Sequence, residues 1–444
     1  MASPSELGLR PRWLVASLLL LLGLVVGITA INSPGMGDVT RWLQYMQLAR
    51  QHGVWAVYPI AAIDGVSGAA TDYPPLALVI LALFSNISWL FGGDQLITLR
   101  PDFTIVKGDF FALKVSIIAF TLACAVLMAN WQGRWRPWLG AAMLAFLALD
   151  ALFLAYIDVY FALFLLLAFY CFERNRPALG AVFYTLAFLT KWQPIILAPL
   201  ILLYVIPRRP RPSDLARLVP AALVFLLVLA LYARPMITAF GAALQNSTFS
   251  GSALNFNWLV SAFLEMRAPG FADTPIDTLR YGKDTLLESD IAVALARLSS
   301  VLRYFCYGVG IVYFYLSRRT SDDLLRASIA CFMAYFVFGP GVHDNHAFVP
   351  SLLALCWLAQ DRTRYVEAIL LTVMFQIDLL IFYGVGGKGP GFSRVAGWDV
   401  TIYLAAFNVL VFAFLWLPIA GAVWSRLTAA VRALPADAAS RSAR

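Results

Sequence analysis

The chain has 444 residues, of which 61% are hydrophobic and only 13% are charged. Soluble domains carry about twice that share of charged residues, so the composition excludes a soluble globular protein, a disordered chain, a disulfide-rich secreted domain and a soluble enzyme with one membrane anchor. The net charge of +8 comes mostly from arginines in short loops between apolar runs, which favours membrane topology over nucleic-acid binding.

The first apolar run covers Trp13–Ile31 and follows Arg10 and Arg12. It is too long for a signal peptide and has no evident small-residue cleavage site, so it predicts an uncleaved transmembrane helix whose N-terminus lies inside. Its apolar residues are continuous and do not alternate with polar ones, which disfavours a β-barrel.

Further apolar runs follow, at about 75–91, 109–130, 137–150, 156–172, 178–190, 194–206, 215–234, 291–316, 324–340, 346–360, 364–384 and 398–424. The arginines of the tight loops and the tail should lie inside: Arg134, Arg136, Arg174, Arg176, Arg208, Arg209, Arg211, Arg318, Arg319, Arg362, Arg364, Arg426, Arg432, Arg441 and Arg444. These inner loops alternate with outer loops along the chain only if the segment 75–91 does not cross the membrane. The sequence therefore predicts an all-α polytopic membrane protein with about 12 to 13 transmembrane helices and both termini inside.

This topology divides the chain into consecutive parts. They are an N-terminal transmembrane helix 1–31, a long outer loop 32–108 with interfacial helices, a transmembrane core 109–234, a second outer loop 235–290, a C-terminal transmembrane bundle 291–424 and a cytoplasmic tail 425–444. The distinctive polar residues fall on the outer side, which favours an outward-facing site over a pore.

The first candidate residue is Asp38, which comes just before the segment Val39–His52. Apolar residues recur in this segment at helical spacing, so it predicts an amphipathic helix in the membrane interface. Asp38 has two interpretations. It is either a simple N-cap or a carboxylate at the lipid–water boundary that takes a proton from an acceptor hydroxyl.

The second motif is Asp72-Tyr73-Pro74-Pro75, in which the prolines favour an extended segment followed by the first turn of a helix. Asp72 is either a solvated turn residue or a second acidic group beside Asp38. Further along the chain, Lys191 and Gln193 lie between two short apolar runs. A lysine there either extends to the interface or binds an anion, and Asp158 is a possible ion-pair partner.

The motif His343-Asp344-Asn345-His346 places two histidines three residues apart at an outer turn. The pair could cap a span or donate hydrogen bonds to a phosphate, whereas two ligands without a third make a weak metal site. The five cysteines have no CxxC spacing and are expected in the core, so we expect no zinc or redox site. In the loop 235–290, Asn257, Trp258 and Arg280 are candidates for sugar recognition or for loop packing.

Taken in order over about residues 30–350, these segments resemble the dolichyl-phosphate-glucose-dependent glucosyltransferases of the GT-C superfamily. The matching pieces are Gly37-Asp38, Arg41-Trp42, Asp72-Tyr73-Pro74-Pro75-Leu76, Lys191-Trp192-Gln193-Pro194 with Pro199, Asn255-Phe256-Asn257-Trp258 and Val342-His343-Asp344.

The resemblance implies a GT-C-like fold and an inverting transfer of a sugar from a lipid-phosphate donor. By this resemblance Asp38 is the general base, His343 lies near the donor phosphate and Asp72 lines the same site. The family's motif continues with Glu-Lys after the histidine, whereas this chain has Asp344-Asn345. Lys191, Arg280 or His346 would then have to hold the phosphate.

The alanine- and arginine-rich loops suggest a bacterial inner-membrane protein with its site facing the periplasm. A polyprenyl-phosphate donor carrying glucose or mannose is then expected, with a lipid-linked or glycan acceptor, membrane lipids as surroundings and no nucleic-acid partner. No cofactor is expected, and a divalent cation is left open. Two alternatives remain: a related polyprenyl-phosphate-mannose mannosyltransferase, and a transporter or flippase of lipid-linked sugars.

Overall fold

In the computed structural model of this protein, the described residues are 10–63, 73–100, 103–133, 135–244, 250, 253–267, 290–387, 394–395 and 398–432. Among them helices dominate, and the strands form two small hairpins. The predicted all-α class is therefore confirmed.

The N-terminal part combines one long helix with short elements. They are α1 (Arg10–Ala30), α2 (Val39–His52), α3 (Val54–Ile63), α4 (Pro75–Ser85), a 3-10 turn (Ser88–Phe91) and the antiparallel strands β1 (Leu96–Arg100) and β2 (Phe103–Val106). The predicted amphipathic helix α2 is confirmed with the predicted bounds. Its apolar face, with Trp42 and Met46, is fully buried.

The central part is a series of apolar helices. They are α5 (Lys107–Ala129), α6 (Pro137–Leu147) with a π-helical turn (Ala148–Phe153), α7 (Asp158–Glu173), α8 (Pro177–Thr190), a 3-10 turn (Gln193–Leu197), α9 (Ala198–Val205) and α10 (Val219–Leu244). Prolines at the first helical position begin α4, α6 and α8, where the missing N–H leaves no helical hydrogen bond unmade.

The C-terminal part completes the bundle. Its elements are α11 (Phe256–Arg267), α12 (Asp290–Leu316), α13 (Ser321–Phe338), a 3-10 turn (Asp344–Ala347), α14 (Phe348–Gln360), α15 (Tyr365–Tyr383), the strands β3 (Arg394–Val395) and β4 (Trp398–Asp399), and α16 (Val400–Arg432). Helices α13 and α14 form the centre of the core, and most of their side chains are fully buried.

Five helical segments of the described chain are long and apolar enough to span a membrane. They are Lys107–Ala129, Pro212–Gly241, Ala294–Leu316, Arg362–Tyr383 and Val400–Arg432. Shorter apolar helices accompany them at Leu21–Ala30, Pro75–Ser85, Pro137–Phe153, Pro177–Thr190 and Gln193–Val205. The chain is thus a helical membrane protein, and the predicted total of 12 to 13 spans stays a prediction.

The arginine-rich loops lie together at one end of the bundle. Arg136 donates to the carbonyl of Ala359 (2.8 Å), Arg208 donates to that of Ser317 (2.8 Å), and Arg319 donates to that of Leu203 (2.9 Å). Helices α8 and α13 run from this end to a second end, where Lys191, Gly339 and Asp344 lie, and α14 runs back from that second end to the basic end. The bundle therefore has one basic end and one end that carries the candidate motifs.

Candidate active site

Asp38 lies immediately before α2 at the motif-bearing end of the bundle. Its side chain is 39% exposed and makes no capping hydrogen bond, and its Oδ1 lies 3.9 Å from a guanidinium nitrogen of Arg41. The simple N-cap interpretation is therefore not what the geometry shows. The carboxylate is open to solvent beside a buried helix face.

The backbone before Asp38 is fixed by the link between the π-helical turn and α7. The N–H of Met36 donates to the carbonyl of Leu154 (3.0 Å), and the hydroxyl of Ser33 donates to that of Phe153 (2.8 Å). Gly35 has φ +74°, and a Cβ there would lie 2.7 Å from Val39 and 2.8 Å from the Leu154 oxygen. A Cβ on Gly387 would in turn overlap the carbonyl of Gly35. Asp38 thus stands on a closely packed loop.

Lys191 forms an ion pair with the fully buried Asp158. The sequence predicted this partner, and the pair is confirmed. Lys191 follows the last turn of α8 and Asp158 begins α7, so the pair joins two helix ends. Asp158 also accepts a weak hydrogen bond from the amide of Asn345 (3.5 Å) and interacts electrostatically with Asp38.

The turn 343–346 contributes both histidines to the same end. Their ring centroids are 5.8 Å apart, and Nδ1 of His346 lies 3.2 Å from the hydroxyl of Tyr335. His343 is exposed, whereas His346 stacks on the Tyr335 ring. Burial and the neighbouring His343 and Lys191 lower the pKa of His346 well below its usual range. His346 is therefore neutral near pH 7.

A series of aromatic and acidic side chains connects this turn to the loop that carries Asp38. The ring of Tyr156 lies between Trp42 and Tyr383, with centroids 6.2 Å from each, and the hydroxyl of Tyr383 donates to Asp344 (3.4 Å). Burial, with a smaller effect from the Asp344 carboxylate, raises the pKa of Tyr156 well above its usual range. The Asp38 carboxylate also raises the pKa of this phenol through an electrostatic interaction. Electrostatic interactions therefore connect Asp38, the Lys191–Asp158 pair and Asp344.

Two further buried carboxyl groups lie among these residues. Asp150, in the π-helical turn, interacts with Asp158, Lys191 and Asp344, yet neither of its oxygens has a hydrogen-bond partner among the described residues. Asp378 accepts from the amide of Asn408 (3.1 Å) and also interacts with Asp344. Sequence reasoning missed both. A lone acidic residue at the end of, or within, an apolar run is the pattern that could have flagged them.

The other predicted site residues have different surroundings. Asn257 donates to the carbonyl of Gly339 (2.7 Å) and can accept from Ser299, while the indole N–H of Trp258 donates to Thr401 (2.9 Å). Asn257 and Trp258 are both fully buried, and their hydrogen bonds connect α11 to neighbouring helices. The carbonyl of Tyr73 accepts from Tyr58 (2.9 Å).

Gln193 is buried, and neither its amide nitrogen nor its amide oxygen has a hydrogen-bond partner within the ranges that the structure describes. Asp72 and Arg280 lie outside the described residues. The assignment of Asp72, Tyr73, Gln193, Asn257, Trp258 and Arg280 to substrate stays a prediction.

Within the described part of the chain, no three His, Cys, Asp or Glu side chains are grouped so that they could hold a metal ion. The five cysteines are buried and unpaired, as the sequence predicted. No protein-family model matches this chain, and no curated protein matches it. The resemblance to the GT-C superfamily therefore stays a prediction, and the site has to be judged by its chemistry.

Proposed function

We propose that this protein is a membrane glycosyltransferase that moves a hexose from a polyprenyl-phosphate donor to a lipid-linked or periplasmic acceptor. The observation that carries the proposal is the position of Asp38, a half-exposed carboxylate beside a buried cluster that contains Lys191 and His346. The proposal includes a GT-C-like arrangement of about 12 to 13 spans, in the bacterial inner membrane with the site facing the periplasm.

Asp38 is the acidic residue of the cluster that an acceptor can reach. Its side chain is 39% exposed, whereas Asp158, Asp344 and Asp378 are each about 1% exposed. A general base must come within hydrogen-bond distance of the proton that it removes, so an accessible carboxylate is required. The buried acids fit a structural or electrostatic role instead.

The reaction needs one base and groups that stabilise a phosphate. Asp38 takes the proton of the acceptor hydroxyl, the acceptor oxygen attacks the anomeric carbon, and the bond from that carbon to the phosphate oxygen breaks with inversion. The bonding electrons leave with the polyprenyl phosphate, which is a stable anion, so no strong general acid is required. The exposed His343 supplies a hydrogen-bond donor at the same end of the bundle, where the mostly buried Lys191 adds positive charge beside Asp158.

A transporter or flippase of lipid-linked sugars is the second candidate. The observation that favours it is the carboxyl group of Asp150 in a π-helical turn, which has no hydrogen-bond partner among the described residues. Buried ionisable groups at helix breaks are typical of transport sites. The cluster lies at one end of the helices, however, whereas transport sites lie near the midplane.

The decisive experiment compares sugar transfer by the wild type, Asp38→Asn and the control Asp94→Asn in proteoliposomes. Asp94 is a suitable control because it is an 89% exposed acid in the same outer loop, paired with Arg50. The donors are radiolabelled undecaprenyl-phosphate-glucose and undecaprenyl-phosphate-mannose, with native lipid extract as acceptor. We expect Asp38→Asn to lower transfer by about 10²-fold or more and Asp94→Asn to leave it within about twofold.

Competition between the two donors would distinguish a glucosyltransferase from a mannosyltransferase. Equal transfer by wild type and Asp38→Asn would remove this residue from the mechanism. Movement of intact lipid-linked sugar across the bilayer, without transfer, would favour the transporter.

A further inference from the structure

Arg303 carries its guanidinium group on an apolar helix, and this group has no carboxylate partner among the described residues. It lies in α12, and its Nε is buried without a hydrogen-bond partner in the described part of the chain. A charged residue inside a membrane helix is costly unless it pairs or binds something, so an unpaired arginine indicates a functional site. The side chains of Val301, Tyr304 and Phe305 are exposed, so this helix presents an apolar surface on the outside of the bundle.

The contacts of α12 fix the direction in which Arg303 faces. Ser299 and Tyr307 lie one turn before and one turn after it, so the three share a face. The hydroxyl oxygen of Ser299 lies 2.6 Å from both the Asn257 side-chain oxygen and the Phe338 carbonyl at the end of α13, so its one proton serves either of them. Tyr307 donates to the carbonyl of Ile196 (2.7 Å). This face therefore packs against α13 and the turn Gln193–Leu197.

Arg303 is also connected to the histidine turn. It interacts electrostatically with the phenol of Tyr335, whose oxygen lies 3.2 Å from Nδ1 of His346. Its guanidinium carbon lies 4.4 Å from the ring centroid of Tyr304, which is 64% exposed. The cation thus stands at the boundary between the polar cluster and the lipid-facing side of the helix.

We propose that Arg303 binds the phosphate of the lipid-linked donor as that donor enters laterally from the bilayer. This inference rests on the proposed function, since it names the residue that binds the donor phosphate at the same site. The guanidinium fork matches the geometry of phosphate oxygens and remains charged in a partly apolar setting. Lys191 is a poorer phosphate ligand because it is already paired with Asp158.

The test measures binding of undecaprenyl phosphate, without sugar, to the purified full-length protein in nanodiscs. The variants are Arg303→Gln, Arg303→Lys and the control Arg297→Gln, an exposed arginine of the same helix. We expect Arg303→Gln to raise the Kd about 10- to 100-fold, Arg303→Lys to restore part of the affinity, and Arg297→Gln to stay within about twofold. Undecaprenol, which lacks the phosphate, should bind the wild type and Arg303→Gln equally, which also shows that the variant is folded.

An unchanged Kd for Arg303→Gln, or an equal loss in Arg297→Gln, would overturn the inference. Phosphatidic acid carries a phosphate on an ordinary lipid tail. If it competed as well as undecaprenyl phosphate, the site would belong to ordinary phospholipids and not to the donor.

The two proposals fail in different ways. Sugar transfer that depends on Asp38, together with normal binding by Arg303→Gln, would remove only the role of Arg303. Undecaprenyl-phosphate binding that depends on Arg303, without any sugar transfer, would instead contradict the glycosyltransferase.

Discussion

The ring of His346 is stacked on Tyr335 and faces His343 edge-on. In these surroundings its pKa is well below the usual range, so the folded protein keeps the ring neutral where an unfolded chain would protonate it. The folded state then binds fewer protons than the unfolded state as the pH falls below about 6.5. Folding stability must decrease over that range.

We therefore expect the thermal midpoint of the wild type to fall between pH 7.5 and 5.5, with His346 contributing at most about 1.4 kcal/mol of the loss. The variant His346→Asn should lose less stability over the same range. Thermal unfolding of the detergent-solubilised protein at several pH values measures this. The exposed His52 provides the control His52→Asn, which should follow the wild type. Parallel acid curves for His346→Asn and wild type would contradict the buried neutral histidine.

Residue chemistry explains which parts of the candidate site were predictable from the sequence. Asp38, Lys191, Asp158 and the two histidines stood out because polar residues at the ends of apolar runs are conspicuous. Tyr156 and Tyr383 were not predicted, because a tyrosine in an apolar run is ordinary until its neighbours are known. The electrostatic interaction between Arg303 and Tyr335 depends on the relative rotation of two helices, which one sequence does not contain.

Among the elements, the loop before α2 determines where the Asp38 carboxylate lies. Gly35 has a positive φ, and a Cβ there would overlap Val39 and Leu154, whereas a Cβ on Gly37 would meet no described residue within 4 Å. Neighbouring Ala155 also has a positive φ of 59°, which is costly for alanine and is found preferentially at functional sites. The two glycines form a matched pair for testing this loop.

We expect Gly35→Ala to lower sugar transfer at least tenfold, because the methyl group would displace the backbone that carries Asp38. Gly37→Ala should keep transfer within about threefold of the wild type. Steady-state transfer rates of both variants, with thermal midpoints as a folding check, test the prediction. Equal activity of the two variants would show that the loop does not need its close packing.

Helical periodicity predicted α2 closely, and the length of the apolar runs predicted most of the long helices. The hairpin of β1 and β2 was missed because its strands are short and lie in a loop without strict alternation. Several predicted runs are split in the structure. The run 194–206, for example, divides into a 3-10 turn and α9, where Pro194 and Pro199 interrupt regular hydrogen bonding.

The whole molecule is polarised, with arginine-rich loops at one end and the candidate site at the other. If the basic end lies inside, as the positive-inside rule predicts, opposite ends must differ in accessibility. The native cysteines are all buried, so single introduced cysteines can report on each end.

We expect Asp94→Cys to react with a membrane-impermeant maleimide in intact cells. Thr363→Cys, at the exposed turn between α14 and α15, should react only after the membrane is opened. A mass-tagged maleimide and a gel shift measure both. Labelling of both positions from the same side would contradict the proposed topology, while labelling of Thr363→Cys alone in intact cells would invert it.

The contact between Gly35 and Gly387 has a consequence for the order of folding. The loop that carries Asp38 is synthesised early, yet one of its supports lies just beyond α15, near the other end of the chain. A contact between such distant parts of a chain forms late, after most of the helices have assembled. Asp38 therefore reaches its final position only when synthesis is nearly complete, so a partly made chain would hold this carboxylate in place poorly.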